Sequence, residues 1–189
     1  TDGHDIEALL GAARTLRTRG VLGVQVECQF HGPVHPYANT FANIDRLMRE
    51  AGFTLFDLDT WHYTRRDMPG VFALDKIGQT RTGAVQWADA VYFRDLGDPD
   101  HGKKTGFAAE AIHLHKLACL FEFFGLNDCV AELIVRYPGA FAGGSEQLLD
   151  LMTPLSSGKP GVYRQYLEMF DADPTRFLTP VEQQRRKAP

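Results

Sequence analysis

Two short stretches concentrate the residue types that move protons. One is Thr1-Asp2-Gly3-His4-Asp5, just ahead of a helical pattern. The other runs from Glu27 through His31 to His35, at the end of a valine-rich run. Carboxylates and imidazoles are the usual general acids and bases. Asp2 stands beside Gly3 and before the helix, which favours a ligand-facing place. Asp5 serves equally well as a helix cap. Glu27 falls where polar and apolar residues alternate, so it is either a solvated carboxylate or a functional one. His31 and His35 flank Gly32 and Pro33 and read as loop polarity or as ligand contacts. Glu27, His31 and His35 are acceptable metal ligands, but their spacing across a Gly-Pro loop matches no metal signature, and no metal is expected.

Other candidates carry less. His113 and His115 form an HxH pair, yet residues two apart on a helix point to different faces. Arg65-Arg66 could hold an anionic substrate or simply be solvated. Cys28, Cys119 and Cys129 form no CxxC pair and read as small core hydrophobes in a reducing, cytoplasmic setting. No GxGxxG follows a strand, and no P-loop, HExxH or GxSxG is present.

The elements that must position these residues alternate through the first half. Ile6, Leu9, Leu10, Ala13 and Leu16 have helical spacing over residues 5–17, with Gly20 as a stop. Residues 21–30 read as a strand, buried at its start. A Gly/Pro/His loop follows. Asn39 or Thr40 caps a helix in which Phe41, Ile44, Leu47 and Met48 share a face, and Gly52 ends it. Residues 53–58 form a second strand, which makes a β-α-β unit whose strands should run parallel. A polar connector over residues 60–82 leads to a third strand at 84–95. Beyond Asp98-Pro99-Asp100 the pattern is helical, over 105–124, 128–137, 146–152 and 161–170. The apolar run from Leu114 to Phe124 predicts a buried helix. Ligands of an open parallel sheet bind at the carboxyl ends of its strands, so the turn before the first helix and the turn after the first strand should face one cleft.

Composition narrows the classes. With 20 basic and 24 acidic residues the net charge is -4, which argues against a nucleic-acid or anionic-membrane partner. The basic end, Arg185-Arg186-Lys187, reads as a solvated tail. No apolar run is long enough to span a membrane.

Four stretches, in order, resemble the C-terminal half of FkbM-type methyltransferases. Residues Asp2-Gly3-His4-Asp5-Ile6-Glu7-Ala8-Leu9-Leu10-Gly11-Ala12 resemble the region where that family's fourth strand gives way to its helix. Val24-Gln25-Val26-Glu27 resembles the fifth strand with its glutamate. Leu47 to Leu58, containing Gly52-Phe53-Thr54-Leu55-Phe56-Asp57-Leu58, resembles the helix-to-strand passage that follows. Ala88-Asp89-Ala90-Val91-Tyr92-Phe93-Arg94-Asp95 resembles the strand near the family's end. The likeness covers the first half of the chain and extends more thinly to Tyr137.

The resemblance implies an α/β fold: the C-terminal half of a Rossmann-like methyltransferase sheet, mostly parallel with an antiparallel last strand inserted beside the fifth. Residues 1–98 would form this part and residues 99–189 a helical extension. It further implies an S-adenosylmethionine-dependent O-methyltransferase acting on a hydroxyl of a sugar or secondary metabolite, so a small-molecule or glycan substrate. Asp2 and Glu27 would then take the hydroxyl proton or orient the acceptor, with His4, His31 and His35 as substrate contacts. The family's first strands, which bring the glycine-rich turn and ribose-binding acid, have no counterpart in this sequence. The expectation is therefore a fragment of a longer enzyme that binds S-adenosylmethionine poorly on its own. Half a sheet also leaves the 21–30 strand with an open edge, to be covered by the helical tail or by a second copy in a homo-oligomer. The alternative is a non-catalytic α+β binding or interaction module.

Overall fold

The computed structural model describes residues 3–65, 72, 78–141, 143–153 and 162–178. It divides into two compact units, Thr1–Leu117 and Ala118–Pro189. The first holds α1 (Asp5–Thr18), β1 (Gly23–Gln29), α2 (Phe41–Glu50), β2 (Thr54–Tyr63), β3 (Gln79–Thr80), β4 (Ala84–Phe93) and α3 (His101–Thr105). Helix α4 (Ala111–Phe123) crosses the division. The second unit continues with α5 (Asn127–Arg136), α6 (Ser145–Met152), α7 (Tyr163–Ala172) and a 3-10 turn at Pro174–Phe177.

The fold is α/β, but the mostly parallel sheet expected from the β-α-β pattern is not what forms. The strand order is β1-β4-β2-β3, and every ladder is antiparallel. Strands β1 and β2, joined through α2, do run in the same direction. They are not neighbours, because β4 lies between them and pairs with both. The long connection after β2 gives the chain room to reverse and insert its last strand there. β2 also runs five residues past its expected end, to Tyr63, and returns through the short β3. β1 is an edge strand, tied at its end to the loop ahead of α2 by a parallel bridge between Gln29 and Thr40.

Strand alternation builds one apolar face. Val26 and Cys28 of β1 and Ala88, Ala90 and Tyr92 of β4 pack with Leu16 of α1 and with Ile44 and Met48 of α2. The small residues Cys28, Ala88 and Ala90 let the helices approach the strands closely. Tyr92 is fully buried, and its hydroxyl donates to Asp45 of α2 at 3.3 Å. On the opposite face Gly23 lies under Phe93, whose ring would be only 2.5 Å from any Cβ added there.

Arg94 closes the core from below. It is almost fully buried and donates from Nε to the Val21 carbonyl at 2.9 Å and from its guanidinium to the Leu16 carbonyl. Leu16 lies in the last turn of α1, where carbonyls have no partner within the helix. The guanidinium is also sandwiched between the rings of Phe53 and Phe107, at 4.5 and 4.2 Å from their centroids. The cation is thus held by a helix C-terminus and two aromatic faces. Gly52, with φ of +87°, ends α2 beside it; a Cβ there would meet Thr105 at 2.9 Å.

The expected helix over 105–124 is broken. Gly106 adopts φ of +72° after α3, and α4 begins only at Ala111. Nor is α4 buried all round: Leu114, Leu117, Ala118 and Phe121 are buried, whereas Phe123 is 80% exposed. In the second unit α5 buries Val130, Leu133 and Ile134. α6 and α7 are joined where the Tyr163 N–H donates to Asp150 at 2.8 Å. Among the described residues no helix is long and apolar enough to cross a membrane.

Candidate functional site

The same alternation that sends Val26 and Cys28 into the core turns Gln25, Glu27 and Gln29 to the opposite face. There the register sets Glu27 opposite Asp89 of β4, and Asp89 opposite Asp59 of β2. Three carboxylates therefore form a row across three strands. Burial and the neighbouring charge of Asp59 hold the Asp89 carboxyl above the usual aspartate range; the Trp61 indole acts in the opposite sense. One step nearer the carboxyl end of β1, the register brings Gln29, Trp87 and Trp61 into the next row. The two indoles stack at 4.8 Å with an interplanar angle of 16°.

Past the indoles lie two hollows that share His31. One, of about 540 Å³, is lined by His31, Tyr63, Thr64, Arg65, Gln86 and Trp87. The other, of about 730 Å³, lies between the loop carrying His31, Pro33 and His35 and the first turns of α2, with Asn43 and Arg46 on its wall. Asn43 fixes this loop by donating to the carbonyls of His35 (2.9 Å) and Ala38 (3.0 Å). His35 accepts the Tyr37 N–H on Nδ1 at 3.2 Å, which leaves Nε2 for a ligand.

Asn39 has a role that local pattern does not reveal. It does not cap α2; its side chain accepts the Ile6 N–H at 3.1 Å, at the start of α1. The loop after β1 and the first turn of α1 are thereby held together, the neighbourhood expected of the two turns. His4 sits at this seam with its side chain 78% exposed, 3.6 Å from Glu7, and lines neither hollow. Asp2 lies outside the described residues. Glu27 joins Asp89 and Asp59, whereas His31 and His35 share the larger hollow. Cys28 is buried with its thiol pushed up to about 12, chiefly by desolvation, which removes it as a nucleophile at neutral pH.

His113 and His115 fall on different sides of α4, the first packed on Phe107 at 5.2 Å and the second exposed. Among the described residues no group of three or more His, Cys, Asp or Glu side chains is placed to hold a metal ion. Asp59, Asp89 and the two tryptophans were not singled out by their spacing. Their signal is the two-residue step in Asp57-Leu58-Asp59-Thr60-Trp61 and Trp87-Ala88-Asp89, which acquires meaning only once the pairing of β2 with β4 is known. Compared with known proteins, the chain matches no protein family, no curated protein and no solved structure.

Proposed function

We propose that this chain supplies the acceptor side of an S-adenosylmethionine-dependent O-methyltransferase, with a hydroxyl of a sugar or secondary metabolite as acceptor. The strand arrangement is the observation that carries this reading. The methyltransferase resemblance calls for an antiparallel last strand beside the fifth, and β4 stands in that relation to β1. The strand equivalent to the sixth, β2, shares the direction of β1.

The described residues do not fit the methyl donor. A cofactor cradle needs a glycine-rich turn that lets backbone approach the ligand. After β1 the chain instead enters a loop of Phe30, His31, Pro33, Val34 and Pro36, with Gly32 its one glycine. The described residues thus form no cradle for the donor. What the described side chains can do is hold the acceptor and take its proton. Asp89, whose proton affinity is raised, is the base we favour, with Glu27 beside it. Trp87 gives the adjoining hollow an apolar wall for the C–H face of a sugar, and His31 a polar one. Asp2 remains with Glu27 among the proposed bases, and His4 and His35 among the acceptor contacts.

Trp61 and Trp87 are the chain's two tryptophans, so indole emission reports this site alone. Titration with neutral glycosides should shift that emission saturably. In the protein expressed from its natural reading frame, Glu27→Gln with Asp89→Asn should cut methyl incorporation from S-adenosylmethionine by about 10²–10⁴-fold. Undiminished methyl transfer in that variant rejects the reading, as does tight stoichiometric binding of S-adenosylmethionine to residues 1–189 alone in calorimetry. The absence of a cradle among the described residues favours a second reading, a non-catalytic binding module, which expects the emission shift without any methyl incorporation.

A further inference from the structure

We propose that the groove between α5, α6 and α7 of the second unit docks a basic amphipathic helix from a partner protein. This inference is independent of methyl transfer. The groove has a volume of about 610 Å³ and an apolar floor that includes Ala131, Val135, Leu151 and Tyr166. Its apolar surface does not stop at the wall: Val135 is 59% and Leu151 73% exposed. Asp128 and Glu132 stand on its rim, four residues apart on α5. Like charges at that spacing weaken an isolated helix, and neither carboxylate has an ion-pair partner among the described residues.

Charge complementarity selects the occupant. The described arginines of the unit are engaged elsewhere: Arg164 lies 3.4 Å from Glu168, Arg136 over the Tyr137 ring, and Arg176 acts on Asp173. An open apolar floor beside two unpaired carboxylates suits a helix that presents leucine-like anchors at i, i+3 and i+7 with lysine or arginine along one flank. The anchors would cover Val135 and Leu151, and the cations would meet Asp128 and Glu132.

The probe is a fluorescent Leu/Lys amphipathic peptide of about 18 residues, long enough to hold a helix, compared with its Leu/Glu counterpart. Anisotropy should show saturable, salt-sensitive binding of the lysine peptide and none of the glutamate one. Asp128→Asn with Glu132→Gln should weaken binding about tenfold or more, the scale of two lost charge pairs at an interface. Glu122→Gln with Asp171→Asn removes the same net charge outside the groove and should change affinity less than about twofold. Leu151→Ser alters an exposed side chain, so the fold survives, and should weaken binding without changing its salt dependence. Equal loss in the two charge variants would assign the effect to the general field of the unit and overturn the proposal. So would equal binding of both peptides, no saturable binding, or a dimer without peptide that Leu151→Ser dissolves, which would make a second copy the occupant.

Discussion

The two faces of the sheet are written in the same three strands and obey opposite rules. On the helix-covered face Val26, Cys28, Ala88 and Ala90 are small or branched, fully enclosed and free of charge. On the other face the residues between them place Glu27, Asp89 and Asp59 side by side, against the preference of cross-strand pairs for opposite charges. That second face is not uniform. Val91 and Phe93 bury its end near the start of β1, and the polar rows begin only toward the carboxyl end. Apolar packing and charge are thus separated by strand alternation across the sheet, and by position along it on the exposed side.

The sharpest way to break this comparison is to exchange the rules at adjacent residues. Val26→Asp puts an unpaired carboxylate into the closed core and should cost more than about 4 kcal/mol, enough to unfold the chain. Gln25→Asp, one residue away and exposed, should stay within about 1 kcal/mol. Urea denaturation followed by circular dichroism measures both, and similar costs would mean the faces are not distinct. Arg94→Met comes next. It keeps the side-chain volume but leaves the Leu16 and Val21 carbonyls without their donor, at about 2–4 kcal/mol for the two. Arg94→Lys should recover less than half of this, because a point-like ammonium cannot reach both carbonyls from between two rings. A fully stable lysine variant would reduce Arg94 to a charge without geometric purpose.

How far these features were legible follows from the range of the signals. The helix over Asp5–Thr18, the amphipathic α2 and the strands around Val26 and Val91 rest on local periodicity, and the structure carries them within a few residues. The sheet order was not local. A strand, a helix and a strand in succession suggest two parallel neighbours, and only the far-off segment Ala84–Phe93 decides that a third strand lies between them. The carboxylate row shares that limitation, since Glu27, Asp59 and Asp89 are neighbours only through β4. Glu27 was readable from its place in an alternating strand, whereas Asp89, whose proton affinity is raised, was hidden in a strand whose other residues are mostly apolar. Asn39 was readable as a cap but not as a cap for a helix thirty-three residues upstream.

The smallest effect tests the row most directly. Asp89 holds its proton more tightly in the native chain than in the unfolded one, because burial and Asp59 disfavour its charge. The native state therefore loses stability, relative to the unfolded state, as pH rises from the ordinary aspartate value of 3.8 through the raised native one. Above that interval the loss is complete and constant. Asp89→Asn removes the charge with little change of shape, so it should stabilise the chain at pH 7 by on the order of 0.5–1 kcal/mol, the scale of a like-charge cross-strand pair. The gain should shrink to nothing toward pH 3, where the wild-type carboxyl is itself neutral. Paired urea titrations at several pH values give the difference free of every other titrating group. A gap independent of pH would show that the three carboxylates do not feel one another. A variant less stable than the wild type at pH 7 would show that the Trp61 indole's contact with the charged carboxylate outweighs burial and the repulsion from Asp59.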